Sequence, residues 1–304
     1  MKGFLSKLML FGGFAIITHV IAGYHMNGNT DPMYLRLTPQ DNNGLILGTS
    51  RAAQAICPDD ILCHKSIFNA SFTLYTSPYG DVYFNYIKKQ MNRESRDQVF
   101  VFCVDPWSLS TDVDSITEEE ILVENKMLLA TTQSISLPNW EFLIEQFAFG
   151  WGRIIREHYH PSSDKYLHKN GWLEVKRKVN KLVDDQNRAN KIMVYKREAF
   201  ESNHPSAYRM LVLKRMIQEL RVYGKVIMVR LPVHPDFFEL EKAFWPSFED
   251  EMQQLAKDEG VFFWSPKELN VELPFNDGHH MNREGSHRFG RLLNEQLVRL
   301  KASK

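Results

Sequence analysis

The sequence predicts an α/β chain, a mainly parallel sheet covered by helices on both faces. Two observations carry that expectation. Five short runs rich in apolar, β-branched and aromatic residues lie along the chain, with helical patterns between most of them. The runs are apolar without strict alternation, as strands buried on both faces are. At 304 residues, with 43% apolar and 24% charged residues, the chain can bury a sizeable core and has ordinary globular usage.

The amino terminus stands apart. Lys2 and Lys7 precede an uncharged run, LMLFGGFAIITHVIAG, from Leu8 to Gly23. Positive residues before a short apolar run mark a secretory signal or an uncleaved anchor. The run is short for a full span, which needs roughly 20 residues, and IAG at 21–23 is a passable cleavage site. Residues 1–25 are read as an export segment, anchor slightly favoured over signal peptide, and a buried first helix is the bland alternative. The rest of the chain is then expected outside the cytoplasm, in a bacterial periplasm or at the cell surface, and secreted if the segment is cleaved. Residues 26–43 are polar and turn-rich and read as a linker, which leaves 44–304 as the folded body.

Within that body, GLILGTS (44–50) reads as a buried strand handing over to a helix at RAAQAI. SIFNASF (66–72) is a second strand, closed by the turn signal TSPYGD and followed by helical VYFNYIKKQMNRE. QVFVFCVDPW (98–107), GKVIMVRLPVHP (224–235) and GVFFWS (260–265) supply three more strands. FFELEKAFWPSFEDEMQQLAKDE is helical between the last two, with Pro246 opening its second half, and Phe289, Leu292, Leu293, Leu297 and Leu300 recur at helical spacing at the end. Residues 108–205 are too long for a crossover. Their helical stretches (TEEEILVENKMLLATTQ, NWEFLIEQFAFGWGRIIREHYH, LEVKRKVNKLVDDQNRANKIMV) predict a helical insertion over the strand ends, a substrate lid or an extra packing layer. Trp140, Trp151 and Trp172 fall within it, as a sugar platform or as core.

Lysine plus arginine equals aspartate plus glutamate at 37 each, so no broad basic field offers itself to nucleic acid. Cys57 and Cys63 flank PDDIL, and a bridge there is open in an oxidising compartment; Cys103 lies in an apolar strand as a small core residue.

Three polar fragments each end or follow a strand: GTS (48–50), DPWS (105–108) and DGHHMN (277–282). In a parallel sheet all three converge on one edge, where ligands bind. Ser50 at a strand-to-helix junction is a nucleophile or a helix cap. Asp277 and His280, three apart at a helix start, can lie side by side, so that the carboxylate fixes the tautomer while the other ring nitrogen takes a serine proton. Asp277, His279 and His280 could instead bind a metal, but neighbouring histidines diverge and a site needs three or four converging ligands; no metal or cofactor is expected. Arg51 and Arg230 near the same edge are either contacts for an anionic substrate group or ion-paired.

GTSR near the start and DGHHMNREGSHRF near the end together resemble the SGNH/GDSL hydrolase superfamily, over about residues 44–104 and 220–300. The resemblance implies a flavodoxin-like three-layer sandwich with Ser50 as nucleophile and Asp277 and His280 as acid and base, Asn282 completing the terminal block. FNASFTLYTSPYG (68–80) is similar to the family's second block, implying an oxyanion donor from the backbone near Leu74. Two departures stand out. Thr49 occupies the usual aspartate position of the first block, and VDPWS replaces the third block, leaving Trp107 and Ser108 as substitute donors. Larger envelope members, such as alginate-type O-acetyltransferase subunits and teichoic-acid D-alanylation proteins, are similar in having an N-terminal anchor and extra helices. They imply acyl, chiefly acetyl, esters of cell-envelope polysaccharide as substrate, and polysaccharide-modification machinery as partner. A non-catalytic carbohydrate-binding or assembly protein is the rival reading.

Overall fold

The computed structural model describes residues 2–71, 78–112, 124–161, 164–176 and 180–302. At its centre is a five-stranded sheet of β1 (Gly44–Leu47), β2 (Ile67–Asn69), β3 (Gln98–Cys103), β4 (Gly224–Val229) and β5 (Phe262–Trp264). The spatial order is β2-β1-β3-β4-β5 and every pairing is parallel. These are the five apolar runs of the sequence. Side chains alternate across the sheet, so each strand feeds two cores. Leu45, Leu47, Phe100, Phe102, Val226 and Met228 pack on the side of α3 (Asp81–Gln90), α6 (Ala207–Leu220) and α8 (Phe248–Asp258). Ile46, Val99, Val101, Cys103, Ile227 and Val229 pack on the side of α2 (Ser50–Ala55) and α9 (Arg283–Ala302). Helices therefore cover both faces of a parallel sheet, as expected.

The chain steps from β1 outward to β2, then returns past β1 to β3. The two connections leaving β1 and β3 thus part company and open a crevice at the carboxyl ends of these strands. Gly48 closes β1 there. A Cβ on it would lie 2.9 Å from Cβ of both Ala52 and Cys103, so only glycine lets α2 turn back this tightly.

The insertion leaves and returns at one place, because Ser110–Thr111 pairs antiparallel with His204–Pro205. It contains α4 (Trp140–Tyr159) and α5 (Lys181–Val194). The helix expected from Leu173 begins later. Lys165–Leu167 and Leu173–Val175 form a hairpin instead, and α5 starts behind Asn180, whose side chain accepts the Val183 N–H. Docking decides this: Asn69 at the end of β2 donates its N–H to Asn170 O at 2.8 Å, inside the hairpin turn. Of the helix expected at 117–133, residues 117–123 lie outside the described residues, and Leu128–Thr131 forms a single turn.

Residues 26–43, expected as a linker, belong to the packed body. Asp31 caps a short helix, Pro32–Arg36, and Tyr34 and Leu37 are each 1% exposed. The polar residues that suggested a linker work internally: Arg36 donates to Ser71 O at 3.2 and 2.6 Å, and Asn42 to Gln90 O at 3.0 Å. Cys57 and Cys63 are free thiols, the latter held on α9 by its N–H to Asn294 Oδ1 at 2.9 Å. The 24-residue α1 (Lys2–His25) contains an 18-residue stretch of mean hydropathy 1.8, long and apolar enough to cross a membrane, and Phe4 and Phe14 are 72% and 67% exposed. Only Ala22 and Gly23 at its carboxyl end are buried, so a buried first helix is not what the chain forms.

Candidate active site

Ser50 lies three residues beyond β1, at the first position of α2. Thr49 caps that helix, its hydroxyl accepting the Arg51 N–H at 3.3 Å. A threonine thus performs the capping that a short polar side chain is needed for. The Ser50 N–H stands in the first turn, where helical N–H groups have no intrahelical acceptor.

The carboxyl-terminal motif folds on itself before α9 begins. Asp277 Oδ1 accepts the N–H groups of His279 and His280 at 3.4 and 3.0 Å, the local turn that aspartate favours. Gly278, at φ +90°, makes the reversal, and its carbonyl accepts the His234 N–H at 2.7 Å, fastening the loop to the start of α7 (Pro235–Phe244). The turn returns the imidazole of His280 to the carboxylate, with Nδ1 2.9 Å from Asp277 Oδ2. The other ring nitrogen, Nε2, stands 2.9 Å from Ser50 Oγ. Residues 230 positions apart therefore form one line: hydroxyl, imidazole, carboxylate. Burial opposes ionisation of Asp277, but the bond and charge of His280, the nearby His279 and the His280 N–H together hold its pKa well below the usual carboxylate range. With Asp277 an acceptor, Nδ1 carries the proton and Nε2 is free to take one.

His279 goes the other way. Its ring is 3% exposed and packs 5.2 Å from Tyr195, 4.9 Å from Phe237 and 4.0 Å from His280. Burial, with the charges of His280 and Arg51, drives its pKa well below 6.5, so it is a neutral member of an aromatic wall. Tyr195 extends that wall to Trp107, 5.6 Å away and 38% exposed. The insertion thus reaches His279, the neighbour of His280, through Tyr195, just past α5.

Arg51 turns inward. Its guanidinium is buried, 2.5 Å from Glu241 Oε1 and 4.0 Å from Asp105 Oδ1. Glu241 also receives Arg230 at 3.1 Å, and Arg230 pairs with Glu249. Arg51 and Arg230 are thus both committed to buried ion pairs beneath the strand ends. Burial raises the Asp105 pKa against the pull of Arg51, with Glu241 adding to the rise. Ser108 closes on Asp105: its hydroxyl donates to Asp105 O at 2.8 Å and its N–H to Asp105 Oδ1 at 2.8 Å. Asn282 is 7% exposed, and its side chain accepts the Gly285 N–H at 2.9 Å, capping α9. Trp172 is 3% exposed and donates to Gln54 O at 3.1 Å, placing it in the core under the hairpin, while Trp140 is 42% exposed. Leu74 lies outside the described residues.

The structure therefore brings Ser50, His280 and Asp277 together, with Trp107 on the aromatic wall nearby, and assigns Ser108 and Asn282 to turns and caps. Sequence reasoning missed Tyr195, Phe237 and Glu241. Glu241 left one sign: it stands four residues after Phe237 on α7, on the same buried face.

Among the described residues, two clusters could offer ligands to a cation. In each of Asp277–His279–His280 and Cys57–Asp60–His287, the ligand atoms lie within 4.8 Å of one another. In the first, both ring nitrogens of His280 are engaged, by Ser50 and Asp277. In the second, His287 Nδ1 already pairs with Asp60 at 2.8 Å and burial pushes the Cys57 thiol up to about 12.

Compared with known proteins, the chain matches no family model, no curated sequence and no solved structure.

Proposed function

We propose that this chain is an SGNH-like serine esterase or acyltransferase on a flavodoxin-like sheet, held by α1 at a membrane with its body outside the cytoplasm. The observation that carries the reading is the pair of 2.9 Å contacts from Ser50 Oγ through His280 to Asp277. The strand order β2-β1-β3-β4-β5 supports it, being that of flavodoxin-like sheets, whose crevice falls beside β1 and β3.

The chemistry follows from the geometry. Ser50 Oγ attacks an ester carbonyl carbon while its proton passes to His280 Nε2. The carbonyl π pair moves to oxygen, and the Ser50 N–H can meet that oxyanion. As the tetrahedral intermediate collapses, the bond to the alkoxide breaks and His280 returns the proton to the departing oxygen. Asp277 keeps Nδ1 protonated and stays ionised throughout. Water, or an acceptor hydroxyl deprotonated by His280, then releases the acyl group from Ser50. Acceptor access alone separates hydrolysis from transfer. Acetyl esters of an envelope polysaccharide are the proposed substrate, and the machinery that modifies such polymers the proposed partner.

One observation favours the rival, non-catalytic carbohydrate-binding reading: the Ser108 hydroxyl is spent on Asp105, which leaves the third block without that donor. Losing one oxyanion donor costs about 10²–10³ in rate, so a slow enzyme also fits. A fluorophosphonate decides between them. The reading expects a single adduct at Ser50, absent in Ser50→Ala, together with acetate release from an aryl acetate. A folded protein that neither labels nor releases acetate overturns it.

A further inference from the structure

α1 does not leave the body on a free tether. Its last turn is clamped: a Cβ on Gly23 would lie 2.5 Å from Pro138 Cβ, 2.8 Å from Leu143 Cδ1 and 3.2 Å from the Tyr34 hydroxyl. Tyr34 also donates to Gly23 O at 2.8 Å. Pro138 and Leu143 stand at the start of α4, so the apolar segment and the insertion helix meet at one point. The body cannot tumble freely about α1.

From that point α4 runs 20 residues, about 30 Å at 1.5 Å per residue. Its inner side is core: Phe142 and Leu143 are 0% and 3% exposed. Its outer side carries exposed apolar side chains that the core does not explain, beside an exposed Glu145. Trp140, Ile144 and Ile155 are 42%, 75% and 54% exposed. At about 100° per residue the three fall within about 60° of one another, a single stripe. Tyr24, the penultimate residue of α1, and Leu137, just before α4, are exposed beside the same junction. An exposed tyrosine and tryptophan where an apolar segment ends is the composition of a membrane–water boundary. Arg156 and His158 are exposed at the far end of α4, suited to anionic headgroups.

We infer that the outer face of α4 lies in the headgroup and acyl boundary of the bilayer that α1 crosses, as a second membrane contact that fixes the body's orientation. The inference rests on the anchor reading of α1. The occupant is the lipid surface, because the stripe begins beside the end of α1 and the clamp on Gly23 holds the start of α4 next to that surface. A second copy of the chain is the competing occupant, and the test separates the two.

The full chain, reconstituted in nanodiscs of phosphatidylcholine and phosphatidylglycerol, carries a nitroxide on Ile144→Cys or Ile155→Cys. Leu182→Cys, at an 80% exposed position on α5, is the aqueous control. Unsubstituted protein sets the background from the three native thiols. The readout is collision with oxygen, which concentrates in lipid, against a water-soluble nickel chelate. The expected result is an oxygen-to-nickel ratio severalfold higher at 144 and 155 than at 182, with one chain per disc. Labels at 144 and 155 as nickel-accessible as that at 182, on protein retained in the disc, overturn the contact while leaving the anchor standing. Shielding from both reagents, with dipolar broadening between labelled chains, overturns it in favour of a second copy. Protein that fails to enter discs overturns the anchor reading and the contact together.

Discussion

The strand ends and α5 are both tied down by arginine–carboxylate pairs, but of opposite kinds. Beneath the triad, Arg51, Glu241 and Arg230 form a chain in which no residue is more than 4% exposed. Between the insertion and the body, Arg188 on α5 reaches Asp236 on α7 at 3.0 Å, with side chains 24% and 53% exposed. A buried pair is costly to break because the orphaned charge has no water to return to. An exposed pair exchanges its partner for solvent at little cost. The comparison teaches where this molecule is stiff and where it can give: the floor that positions Ser50 is fixed, and the wall that α5 supplies is lightly latched.

The largest effect that sharpens the comparison belongs to the fixed side. Ser50→Ala, His280→Ala and Asp277→Asn should each lower kcat for an aryl ester by about 10⁴-fold or more, and the double changes should cost no more than the singles, because the three act as a unit. His279→Ala should leave kcat within about tenfold, since its ring packs on His280 and lies 3.5 Å from Asp277 Oδ1 without standing in the line of hydrogen bonds from Ser50 through His280 to Asp277 Oδ2. Equal losses at His279 and His280, with inhibition by chelators, would support a metal reading instead.

Next comes the floor. Glu241→Gln removes one charge from between two buried arginines and should destabilise the fold by about 3–5 kcal/mol in urea titrations. A change below about 1 kcal/mol would show that the network is hydrated in solution and that the contrast with the insertion is false.

A smaller effect concerns pH. Burial keeps the folded pKa of His279 well below 6.5, so below that value the unfolded chain binds a proton that the folded chain refuses. The stability contribution is whole above pH 6.5 and is lost progressively as pH falls beneath it. His279→Gln should flatten the acid limb of stability against pH, measured by denaturant midpoint at matched ionic strength. An unchanged slope would place the proton uptake elsewhere.

The smallest effect on stability belongs to the latch. Arg188→Ala should cost only about 0.2–1 kcal/mol. If the insertion is a lid, the same change should shift activity on an acetylated polymer more than on a small aryl ester. Identical ratios for both substrates would make the insertion a packing layer.

The sequence by itself determined the sheet, the two motifs and the limits of the insertion. Five apolar runs became five strands because local hydrophobic pattern and strand formation are set by the same residues. Asp277 and His280 were legible because their pairing is local, a three-residue offset closed by one turn. Residues 108–205 were recognisable by length alone, and the pairing of Ser110–Thr111 with His204–Pro205 falls at those limits. Only the tertiary structure decided the rest. It turned residues 26–43 from a linker into core, because polar side chains such as Arg36 find buried backbone acceptors that no pattern reveals. It made a hairpin where periodicity suggested helix, through docking on the end of β2. It brought Ser50 within 2.9 Å of His280 across 230 residues, and it packed the ring of His279 into the aromatic wall. Sequence lists the groups that can do chemistry, but long-range packing sets their distances, and proton transfer depends on distance.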